Sequence, residues 1–323
     1  MTTNQWLEIP EGHVERLPEC GTSEQVHVFD QVSIDAVNAA LAAGRPLLVR
    51  GEPGTGKSQL AYAAAAVLKR PCLGQVIDSR TSAQDLLWTF DAVARLAEAQ
   101  LAGALGQRDE AQVKDRLLEK RFVTPGQLWW ALDWQSAEAQ AKFIGGVLPR
   151  LADGCSPKNG TVMLIDEIDK ADSDVPNGLL EVLGHGTFRP RGFDTDLSAG
   201  GQTALVVITT NEERALPDAF VRRCLVLHIL LPTKTDELKA LLVRRGQAHF
   251  PTATQAVLQE AATQLVKDRE DLKSRRLPAP GQAEYLDLVR AVTKLRTIEA
   301  DQLALLKKIA MFVLQKNPQE AAG

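Results

Sequence analysis

Cysteine is scarce and scattered in this chain. Cys20, Cys72, Cys155 and Cys224 are the four, and no two form a C-x-x-C. That spacing supports neither a zinc site nor a disulfide framework, so reduced thiols in a cytoplasmic protein are the simplest account. The five histidines show no H-E-x-x-H or other metal spacing. No apolar run approaches the roughly 18 residues of a membrane span, and the polar, acid-containing N-terminus lacks the apolar core of a signal peptide. A basic surplus is missing too. The net charge of −4 gives no global attraction to nucleic acid. The short basic pairs (Lys120-Arg121, Arg222-Arg223, Arg244-Arg245, Arg275-Arg276) read as solvated faces or local anion contacts.

What is present is an ordinary globular composition, 45% hydrophobic and 24% charged. At 323 residues the chain is longer than one hydrophobic core usually fills, which predicts one large and one smaller unit. The most informative stretch is Gly51-Glu-Pro-Gly-Thr-Gly-Lys-Ser58, an undeviating G-x-x-x-x-G-K-S. It follows the apolar run of residues 46–50 and opens an alanine-rich helical stretch over 59–69. A buried strand, a glycine turn and a helix start are the context in which such a loop binds phosphate. The main-chain N–H groups of Glu52, Gly54, Thr55, Gly56 and Lys57 wrap an anion as a nest at a helix N-terminus, with Pro53 a donor-less member of the same binding loop. Lys57 reaches the β- and γ-phosphates, Ser58 offers a hydroxyl to Mg²⁺, and Gln59 completes the binding stretch.

Around this loop the elements alternate. Residues 1–30 carry Pro10, Gly12, Pro18 and Gly21 and read as an extended N-terminal arm. A helix over 30–43 ends at Gly44, and a second strand at 72–77 completes a βαβ unit. Residues 83–101 read as one helix with Leu86, Leu87, Phe90, Val93, Leu96 and Ala97 on one face, interrupted by Gly103, Gly106 and the charged 107–121. Trp129, Trp130 and Trp134 follow. Exposed, they would grip a polypeptide or stack on a base; buried core is the commoner outcome.

The second chemical signal is the apolar run before Asp166-Glu167. A central parallel strand delivers its last residues to the sheet edge where ligands bind. There Asp166 can hold Mg²⁺ directly or through water, and Glu167 can orient and polarise an attacking water; the plain alternative is a strand ending in an acidic turn. Residues 177–184 read as a helix and 187–203 as a hairpin. A buried strand at 203–209 places Asn211 level with Glu167, where its amide would hold the lytic water or the γ-phosphate; a turn-capping Asn is the alternative. Residues 216–224 form a short helix ending in two arginines, before a last strand at 225–230. Helices at 236–248, 253–268, 281–294 and 299–315 make a separate helical unit after a boundary at 231–233.

In order and spacing, these motifs resemble the AAA+ ATPases, and within them the MoxR-like family of the helix-2-insert clade, over residues 25–295. The signature is Gly51–Ser58, Leu164-Ile-Asp-Glu-Ile-Asp-Lys-Ala171, Ile208-Thr-Thr-Asn211 and Leu216-Pro-Asp-Ala ending in Arg222-Arg223. The resemblance implies an α/β fold with a parallel five-stranded sheet of order 5-1-4-3-2. Its domains would be an arm at 1–30, a nucleotide-binding domain at 31–232 and a helical lid at 233–323. Within the second lie a helix-2 insert at about 89–123 and a hairpin at about 187–202. It also implies Mg-ATP hydrolysed between subunits of a homo-oligomeric ring, usually a hexamer, with Arg223 reaching the neighbour's γ-phosphate and Arg222 the alternative. A partner protein, commonly one with a von Willebrand factor A domain, would be remodelled or activated in a chaperone-like way. The family's lid arginine has no counterpart in residues 280–284, although Arg275 or Arg276 stand nearby. Two other functions fit the motifs: a nucleotide-switched scaffold that hydrolyses slowly, and a nucleic-acid motor, against which the acidic charge balance argues.

Overall fold

The structure, a computed structural model, describes residues 5–17, 25–105, 109–198, 200 and 203–314. Parts of four expected features therefore lie outside the described residues: the arm at 1–4 and 18–24 (with Cys20), the insert at 106–108, the hairpin at 199 and 201–202, and the lid's last nine residues. In chain order the elements are β1 (Val14–Leu17), β2 (Gln25–Val28), α1 (Gln31–Ala43), β3 (Leu47–Gly51), α2 (Lys57–Leu68), β4 (Cys72–Val76), α3 (Ala83–Leu87), β5 (Trp88–Phe90), α4 (Ala92–Ala104) and α5 (Glu110–Arg116). Then come β6 (Val123–Pro125), α6 (Gln127–Leu132), α7 (Trp134–Ile144), β7 (Val162–Asp166), α8 (Asp174–His185), β8 (Thr187–Phe188), β9 (Leu197–Ser198), β10 (Leu205–Thr210), α9 (Asp218–Val221) and β11 (Leu225–Ile229). Four helices close the chain: α10 (Thr235–His249), α11 (Gln255–Ser274), α12 (Gln282–Leu295) and α13 (Glu299–Leu314).

Two compact units emerge. The first gathers residues 1–10, 31–49 and 60–227; the second gathers 11–30, 50–59 and 228–323. The main sheet is parallel, with order β11-β3-β10-β7-β4. Numbered among themselves those strands run 5-1-4-3-2, the order that the resemblance implies. Burial follows from position. Every residue of β10 is buried, as are the first four of β7, because both lie inside the sheet with neighbours on either side. The edge strands β4 and β11 each bury one residue, Leu73 and Leu227, and leave the others half-buried or exposed. α1 packs on β10, while α6 packs on β4 and β7. Trp129 is fully buried, edge-on to Phe188 and Phe193 at 5.6 Å from each, and its indole N–H donates to Ser136 Oγ at 2.8 Å. Trp130 is buried too, against a half-buried Trp134. These tryptophans are core.

The region after β4 departs from expectation. Residues 83–101 are not one helix. Trp88–Phe90 is a strand that pairs antiparallel with Val123–Pro125, as suits an aromatic, β-branched, aromatic triplet. Two caps define the break. Ser82 and Asp85 form a capping box at the start of α3, and Asp91 accepts from the N–H of Ala94 at 2.7 Å to start α4. The expected common apolar face does not exist: Leu86 and Leu87 are buried, whereas Val93 and Leu96 are 78% and 59% exposed. The charged stretch that was to interrupt the helix forms α5 instead, with Asp109 accepting from the N–H groups of Ala111 and Gln112.

In the second unit β1 pairs antiparallel with β2, and β2 lies against α10. The four lid helices fall within a few residues of the expected spans, 253–268 extending to Ser274. Their core joins Leu238, Leu242, Leu258, Leu265, Tyr285 and Leu306. No helix among the described residues is long and apolar enough to cross a membrane.

Candidate active site

The phosphate loop, residues 50–59, belongs to the second unit. Thr55 Oγ1 donates to the Glu52 carbonyl at 2.9 Å and closes the turn. Lys57, buried at 7% exposure, donates from Nζ to the carbonyls of Gly51 at 2.8 Å and Glu52 at 3.0 Å. The ammonium thus lies within the curl of the loop. Two glycines are obligatory by close approach. A Cβ at Gly51 would stand 2.4 Å from the Ile229 carbonyl oxygen, and one at Gly54, where φ is +74°, would stand 2.6 Å from Ala283 Cβ. Pro53 is exposed, Gly56 half-buried, and Ser58 and Gln59 are half-buried on the first turn of α2.

Glu52 has a further partner that sequence reading missed. Arg269 of α11, 6% exposed, donates from Nη2 to both carboxylate oxygens of Glu52, at 2.8 and 2.6 Å. Its Nη1 donates to the Pro280 carbonyl at 2.8 Å. Nothing in the local sequence marks Arg269, since 217 residues separate the pair.

In the first unit the C-terminal ends of β7 and β10 carry a connected polar network. Thr209 Oγ1 accepts from the Glu167 N–H at 2.9 Å and donates to Asp166 Oδ1 at 2.5 Å. The Asn211 amide donates from Nδ2 to Glu167 Oε1 at 3.3 Å. Lys170 Nζ donates to Glu167 Oε2 at 2.5 Å, and that contact is the main reason its pKa lies above the ordinary lysine value. Buried Asp169 accepts from the N–H groups of Asn211, at 3.3 Å, and Glu213, at 3.0 Å. Glu167 itself sits in the left-handed region, at φ 60° and ψ 48°, a conformation that costs energy for a side chain larger than glycine. Asp166, Glu167 and Asn211 are therefore brought together. Thr209 and Asp169, which hold them, were not singled out from the sequence. The run Ile208-Thr-Thr-Asn211 was the available signal for Thr209.

Arg223 contacts none of these. It follows α9, is exposed, and donates from Nη1 to the Ala219 carbonyl at 3.2 Å. Neither Arg222 nor Arg223 has a carboxylate partner among the described residues. Their carbonyls are held instead: Arg45 donates to the carbonyl oxygens of Arg222, Arg223 (3.0 Å) and Cys224 (3.5 Å). These carbonyls belong to the cap and turn that follow α9, where a cation also suits the negative end of the helix.

The residues suit a nucleotide and its magnesium. A backbone cradle that a Cβ would fill, together with a buried ammonium held against the loop's carbonyls, matches a polyphosphate. Among the described residues no cluster of three or more His, Cys, Asp or Glu could hold a metal ion. A few protein oxygens, supplemented by water and phosphate, is the arrangement by which Mg²⁺ is usually held.

Residues 46–224 match the family described as AAA domain (dynein-related subfamily). No curated protein matches the sequence. Among solved structures, one from Cytophaga hutchinsonii, described as a “putative ATPase”, is 14% identical, covers 88% of this chain and 80% of its own, and has a TM-score of 0.38. The family match spans more than half of the sequence, from the strand before the phosphate loop to the residue after the paired arginines. The chain belongs to the AAA domain family, dynein-related subfamily, and is an ATP hydrolase.

Proposed function

We propose that the chain is a MoxR-like member of the AAA+ group that hydrolyses Mg-ATP between the subunits of a ring, a hexamer, to remodel or activate a partner protein. The observation that carries the catalytic part is the network in which Thr209, Asn211 and Lys170 hold Asp166 and Glu167 at the ends of neighbouring parallel strands. Residues 51–59 bind the nucleotide's phosphates, with Lys57 leaving its loop carbonyls for phosphate oxygens. Ser58 and Asp166 would hold Mg²⁺, which would neutralise charge on the phosphates. Glu167 orients and polarises the attacking water, and Asn211 fixes that carboxylate through Oε1. Arg223, free of any carboxylate and anchored at its carbonyl by Arg45, reaches the γ-phosphate of the adjoining subunit. The domain limits follow the sequence reading: arm 1–30, nucleotide-binding domain 31–232, lid 233–323.

A protein with a von Willebrand factor A domain is the partner this reading favours over a nucleic acid, a preference that the net charge of −4 supports. The described cysteines Cys72, Cys155 and Cys224 form no disulfide, which suits the cytoplasm. A second reading, a scaffold switched by nucleotide with slow turnover, is favoured by one observation. Both carboxylate oxygens of Glu167 are engaged by donors, and Lys170 must be displaced or shared before that group serves a water. Glu167→Gln is expected to bind ATP and lower turnover by at least about a hundredfold, as loss of a general base does. Lys57→Ala is expected to lose ATP binding. Undiminished turnover by purified Glu167→Gln rejects the assignment. A wild-type rate that rises manyfold only with partner present favours the motor over the scaffold.

A further inference from the structure

We infer that residue 52 is the joint through which the phosphate loop drives the lid, with Arg269 as the positioning residue on the lid side. The inference rests on reading residues 51–58 as the nucleotide's phosphate loop. Two cations meet at Glu52. Lys57 holds its main-chain carbonyl, and Arg269 holds its side-chain carboxylate. Lys57 is the group that an arriving phosphate recruits, so occupancy of the loop acts first on the carbonyl of residue 52. Arg269 is the group that reports the response, because it also binds the Pro280 carbonyl in the turn that leads into α12.

The contacts on either side leave the loop little independence. Ala283, in the first turn of α12, packs so closely on Gly54 that a Cβ there would lie 2.6 Å from its own Cβ. Gly281 caps the start of α12, and its N–H donates to Glu284 Oε2 at 2.9 Å, so the turn is tied to the helix that follows it. A shift of the loop at residues 52–54 is therefore carried to α11 through a charged contact and to α12 through a steric one. The charged contact is the only one of the two that pulls as well as pushes.

The unequal exposure of the partners makes the joint directional. Arg269 is 6% exposed and Glu52 46% exposed. A cavity of about 410 Å³, lined by Glu52, Arg269, Lys273, Leu277 and Pro280 among others, opens beside the pair. Both partners line that cavity, but only the carboxylate already stands substantially in solvent when it parts from the arginine. Arg269 then follows Glu52 rather than releasing it, since an unpaired buried cation is the costlier state.

The test is hydrogen–deuterium exchange over residues 269–284 of the full-length protein, with and without saturating ADP or ATPγS, in wild type, Glu52→Gln, Arg269→Met and the double variant. In wild type, nucleotide is expected to change exchange in this segment about tenfold, an ordinary size for coupling between sites. Each single variant is expected to abolish that response, and the double variant to be no worse than either. A single variant that folds, binds nucleotide and keeps the response overturns the joint. If Glu52→Gln does not fold, Arg269→Met alone decides, because it leaves only a half-exposed carboxylate behind. Absent turnover with an intact exchange response counts against Glu167 and not against the joint. Absent nucleotide binding in wild type rejects both.

Discussion

Two carboxylates of this protein are each gripped by a cation, and the two grips differ in kind. Glu52 is held by Arg269, whose guanidinium is almost fully enclosed and has a carbonyl as its other partner. Glu167 is held by Lys170, which is 42% exposed and three residues away along the same turn. The first pair joins segments 217 residues apart; the second is local. Burial makes the first an anchor, because its cation has nowhere else to go. Exposure makes the second a contact that water replaces at little cost. A site that must bind, hydrolyse and release has use for both: a fixed link where motion is transmitted and a loose one where a carboxylate must change partners.

The largest effect expected from breaking this contrast is at the anchor. Glu52→Gln strands the Arg269 charge and should destabilise the second unit by about 3 kcal/mol, whereas Arg269→Met frees a half-exposed carboxylate and should cost only about 1 kcal/mol. Urea denaturation of the two variants checks the inequality, and equal losses would show that burial of the arginine is not what matters.

His27 sharpens the same point in the same unit, as a buried base with no carboxylate bonded to it. Burial first, and nearby Arg245 second, lower its pKa to about 4, with Asp30 opposing and His249 adding to the effect. Its Nε2 has no hydrogen-bond partner among the described residues. The unfolded chain takes up the proton near pH 6.5 and the folded chain only near 4. Stability is therefore complete above about pH 6.5, falls as the pH drops through that interval and levels off below 4. The loss should be about 3 kcal/mol at most, and His27→Gln should flatten the pH dependence of the denaturation midpoint.

The smallest effect is expected at the exposed pair. Lys170→Met should leave the denaturation midpoint within experimental scatter while changing turnover, since the carboxylate it releases is the one assigned to water. A shifted midpoint with unchanged turnover would make Lys170 structural.

Much of this was legible in the sequence, for identifiable reasons. The strands β7 and β10 follow from short continuous apolar runs ending in polar residues, as suits strands buried on both faces, whereas the sheet order came only from the resemblance. The lid helices follow from long periodic stretches. The segment after β4 was misread because Leu86, Leu87 and Phe90 share helical spacing with Val93 and Leu96, and a single periodicity conceals a three-residue strand between two caps. At the candidate site, Lys57, Asp166, Glu167 and Asn211 lie in recognisable local runs. Arg269 and Arg45 do not, because each acts on main chain or on a residue remote in sequence, and no spacing rule encodes such a contact; Asp169 lies in the run 164–171, but its role on the main chain of Asn211 is not written there.

Arg45 shows what that invisibility means for variation in the chain. It is an exposed arginine before an apolar strand, the kind of position at which substitution is ordinarily tolerated. Yet it holds three successive carbonyl oxygens nearly 180 residues away, at the end of a four-residue helix too short to keep its own shape. A scan of mutations ranked by burial or by proximity to the phosphate loop would pass it over. Lysine there would preserve charge but not the fork that spans three acceptors, so Arg45 is a position where a conservative exchange is not a neutral one.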